Sequence, residues 1–264
     1  MKQITSRDNP FFKELLKLAG SARHRQKVKL TLLDGIHLLE AYLATDRQPQ
    51  HLIVTEAAFA NRELTGLLKK IPDVPLTQFP ITQLPDNLFA ELSELKTLSG
   101  ILALIDIPNP AFSPAHGTFC LLLEDIQDPG NLGSILRSAA GAGCDAVYLS
   151  KNCADVWSPK ILRAAMGGHF ALDIYAAANL LHVAKNFPGK IFATSPHAKI
   201  NLYQADLRGD CAFAIGNEGA GLSQDLLAVA HQLVSIPMHR KTESLNVAAA
   251  TAVCLFEATR QRNE

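Results

Sequence analysis

The chain has 264 residues, 25 basic and 25 acidic side chains, and 48% apolar residues, so it can bury a core and wholesale disorder is excluded. At about 150 residues per domain, this length predicts two small domains or one large one. No apolar run approaches the roughly 20 residues of a bilayer span, and Met1 to Pro10 is polar without the apolar centre of a secretion signal, so a soluble, cytoplasmic protein with no membrane partner is expected.

The net charge is zero, but its distribution is uneven. The first thirty residues hold Lys2, Arg7, Lys13, Lys17, Arg23, Arg25, Lys27 and Lys29 against Asp8 and Glu14. Such a local excess tracks phosphates, or equally forms a solvated basic helix face. In chain order, Asn9 as cap and Pro10 at the first helical position predict a helix over Pro10 to Leu18. Leu30 to Leu33 reads as a strand, Ile36 to Leu43 as a helix, and Leu52 to Thr55 and Ile101 to Ile105 as further strands. Residues 1–106 thus form a small α/β domain. Ile107 to Thr118 has three prolines and no charged group, and residues 107–118 read as a linker.

From residue 119 to 264 the pattern changes. Continuous apolar runs at Phe119–Leu123, Ala146–Leu149, Ile191–Thr194, Cys211–Ile215 and Leu233–Ile236 suit strands buried on both faces of a parallel sheet, with helices between them. Ligands of such sheets bind beyond the carboxyl ends of the strands, which singles out three loops. In EDIQDPGN (124–131), Asn131 is placed to cap a helix striped by Leu132, Ile135, Leu136, Ala139 and Ala140. Arg137 lies about 140° from Leu132 around that helix, free to act on a ligand or simply to face solvent. GNEGAG (216–221) lacks the spacing of a phosphate-binding loop, and a carboxylate at Glu218 is a poor phosphate cradle, so it is either a site or a plain glycine-rich turn. IPMHRKTESLN (236–246) leads into a helix, apolar on all sides at its start, that needs cover from its own sheet and from something else. Five scattered cysteines without paired spacing predict no disulfide framework and no metal site.

Taken together, DPGNLGSILRSAAGAG (128–143), AIGNEGAGLS (214–223) and IPMHRKTESLNVAAA (236–250), with the intervening VWSPKILRAAMGG (156–168), resemble the SpoU–TrmH family of RNA ribose methyltransferases within the SPOUT superfamily. The amino-terminal part looks like the substrate-binding domain of many such enzymes, on ITSRDNPFFKELLKL, the basic cluster at 23–29 and DGIHLLEAYL. The resemblance implies S-adenosylmethionine-dependent methylation of a ribose 2′-hydroxyl in tRNA or rRNA, by a homodimer without metal. It implies an α/β fold of SPOUT type, a parallel sheet whose carboxy-terminal chain threads a trefoil knot, against the general rule on knotted chains. By that resemblance the catalytic set is Arg137, Asn131, Glu218, Ser244 and Asn246. Gly216, Ile236, Met238, Leu245 and Thr194 would hold the cofactor, and Arg23, Arg25, Lys27 and Lys29 would contact RNA. Arg240 and Ala165 depart from the usual glycine and serine of the family. A non-catalytic RNA-binding protein on the same fold is the competing expectation. A dinucleotide enzyme is disfavoured because no glycine fingerprint follows the first strand of either part.

Overall fold

A computed structural model of the protein describes residues 2–68, 79–95, 97–111, 118–239 and 244–263. Half of the expected linker, residues 112–117, and Arg240 lie outside them. The chain divides into two compact units, Met1–Pro108 with Trp157–Phe170, and Asn109–Val156 with Ala171–Glu264.

The first unit is a mixed five-stranded sheet in the order β1 (Lys2–Gln3), β4 (Ile81–Leu84), β3 (His51–Thr55), β5 (Ile101–Asp106), β2 (Leu30–Asp34). Strand β5 runs antiparallel to both its neighbours. Helices α1 (Pro10–Gly20), α2 (Ala22–Val28), α3 (Ile36–Leu43), α4 (Arg62–Leu68) and α5 (Asp86–Leu92) belong to the same unit. Helix α1 starts where the sequence places it, because the Asn9 carboxamide oxygen accepts from the Phe11 and Phe12 amides at 2.9 and 3.4 Å and Pro10 has no N–H to satisfy. Its face of Phe12, Leu15 and Leu18 recurs every three residues and closes on Leu32, Ile53, Leu84, Phe89 and Leu102 as a dry core.

The second unit is a wholly parallel seven-stranded sheet, ordered β10 (Ile200–Asn201), β12 (Gln232–Ser235), β9 (Lys190–Thr194), β11 (Cys211–Ile215), β6 (Phe119–Leu123), β7 (Ala146–Leu149), β8 (Asp173–Tyr175). Every residue of β6 and β11 is buried, as unbroken apolar runs require of central parallel strands. Strands β8 and β10 escape a hydropathy reading because they are only three and two residues long. The expected strand at Leu233 to Ile236 lies one residue earlier in the chain, which leaves Ile236 beyond the ladder.

Helices α6 (Pro129–Ala142), α8 (Leu180–Asn186), α9 (Gln224–Val229) and α10 (Val247–Arg262) complete this unit. Helix α10 lies along α6, and the Thr259 hydroxyl donates to the Ala142 carbonyl at 2.8 Å. The expectation that α10 is covered on all sides holds for one flank: Val247, Thr251, Cys254, Leu255 and Ala258 are buried, while Ala249 and Phe256 are exposed.

The segment Trp157–Phe170, with α7 (Pro159–Ala165), needs a correction: it was expected with everything after residue 118, but it lies in the first unit. The Thr31 hydroxyl donates to the Trp157 carbonyl at 2.7 Å, Arg163 sits 3.7 Å from the buried Asp34 carboxylate and donates to Glu94 at 2.7 Å, and Tyr42 meets Phe170 edge-on. Gly167 is required here, since a Cβ on it would stand 2.6 Å from the Ala41 Cβ, and its φ is +86°. No composition shift marks the fourteen residues by which the chain leaves the second unit and returns to it. No helix among the described residues is long and apolar enough to cross a membrane.

Candidate active site

Strands β12, β9, β11, β6 and β7 are adjacent and parallel, so their carboxyl ends emerge along one edge and deliver the loops that begin at residues 236, 195, 216, 124 and 150 to the same side. The Ser195 amide donates to the Val234 carbonyl at 3.0 Å, and the Thr194 hydroxyl donates to the Ala214 carbonyl at 3.4 Å, which stitches three of these ends together.

Helix α6 opens on Asp128, and the assignment of its cap to Asn131 is corrected. The Asp128 carboxylate accepts from the Asn131 amide at 2.7 Å and Pro129 fills the first helical position. This frees the Asn131 side chain. Its Nδ2 donates to Glu218 Oε1 at 2.7 Å, and its Oδ1 accepts from Asn246 Nδ2 at 2.9 Å. Asn246 Oδ1 in turn caps α10, accepting from the Ala248 and Ala249 amides at 2.9 and 3.3 Å. The bonds at both ends fix which way each carboxamide points. Three segments 87 and 115 residues apart are thus joined by one directional hydrogen-bond chain, in which Asn246 donates to Asn131 and Asn131 to Glu218.

Arg137 projects from the exposed side of α6, less than two turns beyond Asn131, and has no hydrogen-bond or ion-pair partner among the described residues. Ser244 is exposed two residues before the α10 cap. Of the residues expected at the cofactor, Gly216, Ile236, Met238 and Thr194 are half-buried at the strand ends and Leu245 is 38% exposed beside Asn246. Gly216 is required by its own loop, because a Cβ there would lie 2.2 Å from the Gly221 carbonyl carbon. Among the described residues no three His, Cys, Asp or Glu side chains gather in a metal-binding group.

The sequence profile of the SpoU rRNA methylase family matches residues 118–256, and that of an MRM3-like substrate binding domain matches residues 9–103. A protein of Synechocystis described as an uncharacterized tRNA/rRNA methyltransferase is 33% identical over 98% of this chain and 94% of its own. The chain belongs to the SpoU rRNA methylase family. The Bacillus subtilis 23S rRNA (guanosine(2553)-2′-O)-methyltransferase RlmP is 29% identical, over 97% of this chain and 98% of its own. A crystal structure of an RNA 2′-O ribose methyltransferase superposes with a TM-score of 0.81 at 31% identity, covering 99% of this chain and all of that one.

In this SpoU-family chain the basic cluster expected to contact RNA divides in two. Arg23, Lys27 and Lys29 are exposed on α2 and at its end. Arg25 is corrected: it is 4% exposed and its Nη1 donates to the carbonyls of Leu18 and Ala19. Those carbonyls are left without intrahelical partners at the end of α1, where a cation also meets the negative end of the helix dipole. Arg25 therefore closes one helix from the interior of the next, and three side chains of the cluster stay exposed.

Sequence reasoning missed the frame behind the site. Asp125 has φ +57°, a left-handed backbone that aspartate tolerates better than most residues. Its amide donates to Ser150 Oγ at 2.9 Å, that hydroxyl donates back to Asp125 Oδ1 at 2.6 Å, and Asn152 Nδ2 donates to Oδ2 at 3.1 Å. Asn217 spans the adjacent loop: its Nδ2 donates to the Asp125 carbonyl at 2.9 Å, while its Oδ1 accepts from the Gly219 and Ala220 amides at 2.9 and 3.1 Å. The readable signal was an asparagine one glycine past the end of a strand and two residues before another glycine, which is the pattern of an Asx turn.

Proposed function

We propose that this chain, an S-adenosylmethionine-dependent RNA ribose 2′-O-methyltransferase, acts on ribosomal RNA at a guanosine ribose. The family's description and the guanosine named for the Bacillus subtilis relative support that target. The exposed cations Arg23, Lys27 and Lys29 support RNA docking on the unit that matches the substrate-binding profile.

The observation that carries the reading is the hydrogen-bond chain Asn246–Asn131–Glu218, which gathers the three motif loops at the carboxyl edge of a parallel sheet. The groups beside it fit the cofactor. Strand-end backbone amides and carbonyls suit the hydrogen-bonding edge of an adenine, and the half-buried Ile236 and Met238 with Leu245 suit its faces. Gly216, Ile236, Met238, Leu245 and Thr194 would hold S-adenosylmethionine, whose sulfonium supplies an electrophilic methyl group. The chain's own task is then to orient the ribose and to bear the negative charge that develops on its 2′-oxygen. Arg137 is assigned that charge as the hydroxyl proton passes to solvent water, since a guanidinium offers donors and no acceptor and so acts by stabilisation. Glu218 and Asn131 hold the acceptor side of the site through their mutual bond, and Ser244 and Asn246 fix the entry to α10.

The reading extends to a trefoil knot threaded by the carboxy-terminal chain, an expectation that follows from membership of the family. It also includes a cytoplasmic homodimer, in which the open flank of α10 at Ala249 and Phe256 faces a second copy. The test of the assignment is Arg137→Ala: methyl transfer falls by at least about 100-fold, the scale of one lost charge-stabilising donor, while affinity for S-adenosylmethionine stays within a few fold. Near-normal turnover in that variant refutes it.

A further inference from the structure

We propose that Asn217 is a positioning residue for methyl transfer, fixing Glu218 against Asn131 by tying the 216–221 loop to the left-handed turn at Asp125. The inference rests on the roles given above to Asn131 and Glu218.

The loops meet at two levels. At their tips, Glu218 accepts from Asn131. At their roots, Asn217 donates to the Asp125 carbonyl at 2.9 Å, 92 residues away in sequence. Asp125 has a left-handed φ, and the reciprocal bonds with Ser150, together with Asn152, hold the turn. Within its own loop, the Asn217 backbone exchanges two hydrogen bonds with Gly221, at 3.1 and 2.9 Å, while its side chain receives the amides of Gly219 and Ala220. Glu218 therefore sits between anchored neighbours on both sides. An exposed glutamate on an unanchored glycine-rich loop would sample many positions. This one is confined to the place where Asn131 finds it. The three hydrogen bonds that the Asn217 carboxamide makes all go to backbone, so the residue is assigned to shape the site rather than to touch substrate.

Asn217→Asp isolates the tie. It keeps an oxygen to accept from Gly219 and Ala220 and replaces the amide donor to Asp125 with an acceptor. The expected result is a kcat lower by about tenfold or more, with KM for RNA and affinity for S-adenosylmethionine within about threefold of wild type. In a Glu218→Ala background the same substitution costs less than about twofold further, because its effect runs through Glu218. A wild-type kcat in Asn217→Asp, or losses that multiply fully in the double variant, overturns the inference while leaving the role of Glu218 intact. A wild-type kcat in Glu218→Ala alone instead refutes the assignment on which it rests. Should Asn217→Asp fail to fold, the Asp125 pair decides: Asp125→Gly, which keeps the left-handed carbonyl, retains more turnover than Asp125→Ala, and the reverse order overturns the proposal.

Discussion

Replacing Arg25 by alanine separates a structural cation from those that serve RNA. The substitution removes two charge-assisted hydrogen bonds to the Leu18 and Ala19 carbonyls and the burial of the arginine stem. Each bond contributes about 1.5 kcal/mol net, and water that reaches the freed carbonyls offsets part of the combined loss of bonds and burial, leaving about 3 kcal/mol. The first unit holds about 120 residues. An unfolding entropy of about 2.1 cal/mol/K per residue then converts this loss into a fall of about 12 °C in its melting transition. Scanning calorimetry of the full chain reads that transition, and fluorescence anisotropy against an rRNA fragment over a salt series reads the binding. Alanine at Lys27, an exposed position, leaves the melting temperature unchanged but weakens RNA binding and lowers the slope of log affinity against log salt by about one. An Arg25→Ala protein that melts like wild type and loses RNA affinity would refute the reasoning.

Three further outcomes are expected. Asn246→Asp keeps the oxygen that caps α10 and loses the donor to Asn131, so activity falls at least about tenfold with stability unchanged. Asn246→Ala also loses about 1 kcal/mol of cap, and denaturant melts with single-turnover assays distinguish the two variants. Burial pushes the Cys120 and Cys254 thiols up to about 12 and Cys211 to about 11. A thiol reagent at pH 8 should leave these three unmodified until denaturant is added, and prompt stoichiometric labelling of the folded protein would contradict their placement. Arg260 beside Glu257 lowers its carboxyl below the ordinary glutamate value, against an opposing desolvation. A lowered folded-state value gives stability that is fully present above the unfolded value of about 4.5 and is lost as pH falls through the folded one. Glu257→Gln should therefore destabilise at pH 7 by about 1 kcal/mol or less, with Arg260 half exposed, and the gap should close in acid melts.

How far the sequence carried these conclusions depended on which physical signal each feature leaves. The central strands were legible because a strand buried on both faces must be apolar without interruption, as in Cys211–Ile215. The cap Asn9 was legible because capping is local. Asn131 as a cap was not, since Asp128 and Asn131 are both capable and only the position of Pro129 decides between them. Arg25 could not be told from its neighbours by charge: burial depends on how α2 folds back on α1, which no count of lysines and arginines records. The three motif loops could be picked out individually, but not their junction, because hydrogen bonds across 87 and 115 residues have no periodicity. The placement of Trp157–Phe170 with the first unit also bears on dissection of the chain. A fragment beginning after residue 108 would strip Trp157, Ile161 and Leu162, all buried, of the unit they belong to.

The most direct measurement is transfer of a radiolabelled methyl group from S-adenosylmethionine to ribosomal RNA that lacks the modification, followed by digestion to nucleosides. The account predicts label in a 2′-O-methylated guanosine, with transfer by Arg137→Ala at least about 100-fold slower at matched cofactor occupancy. Label on a base, or none from a protein that binds both RNA and cofactor, would contradict it.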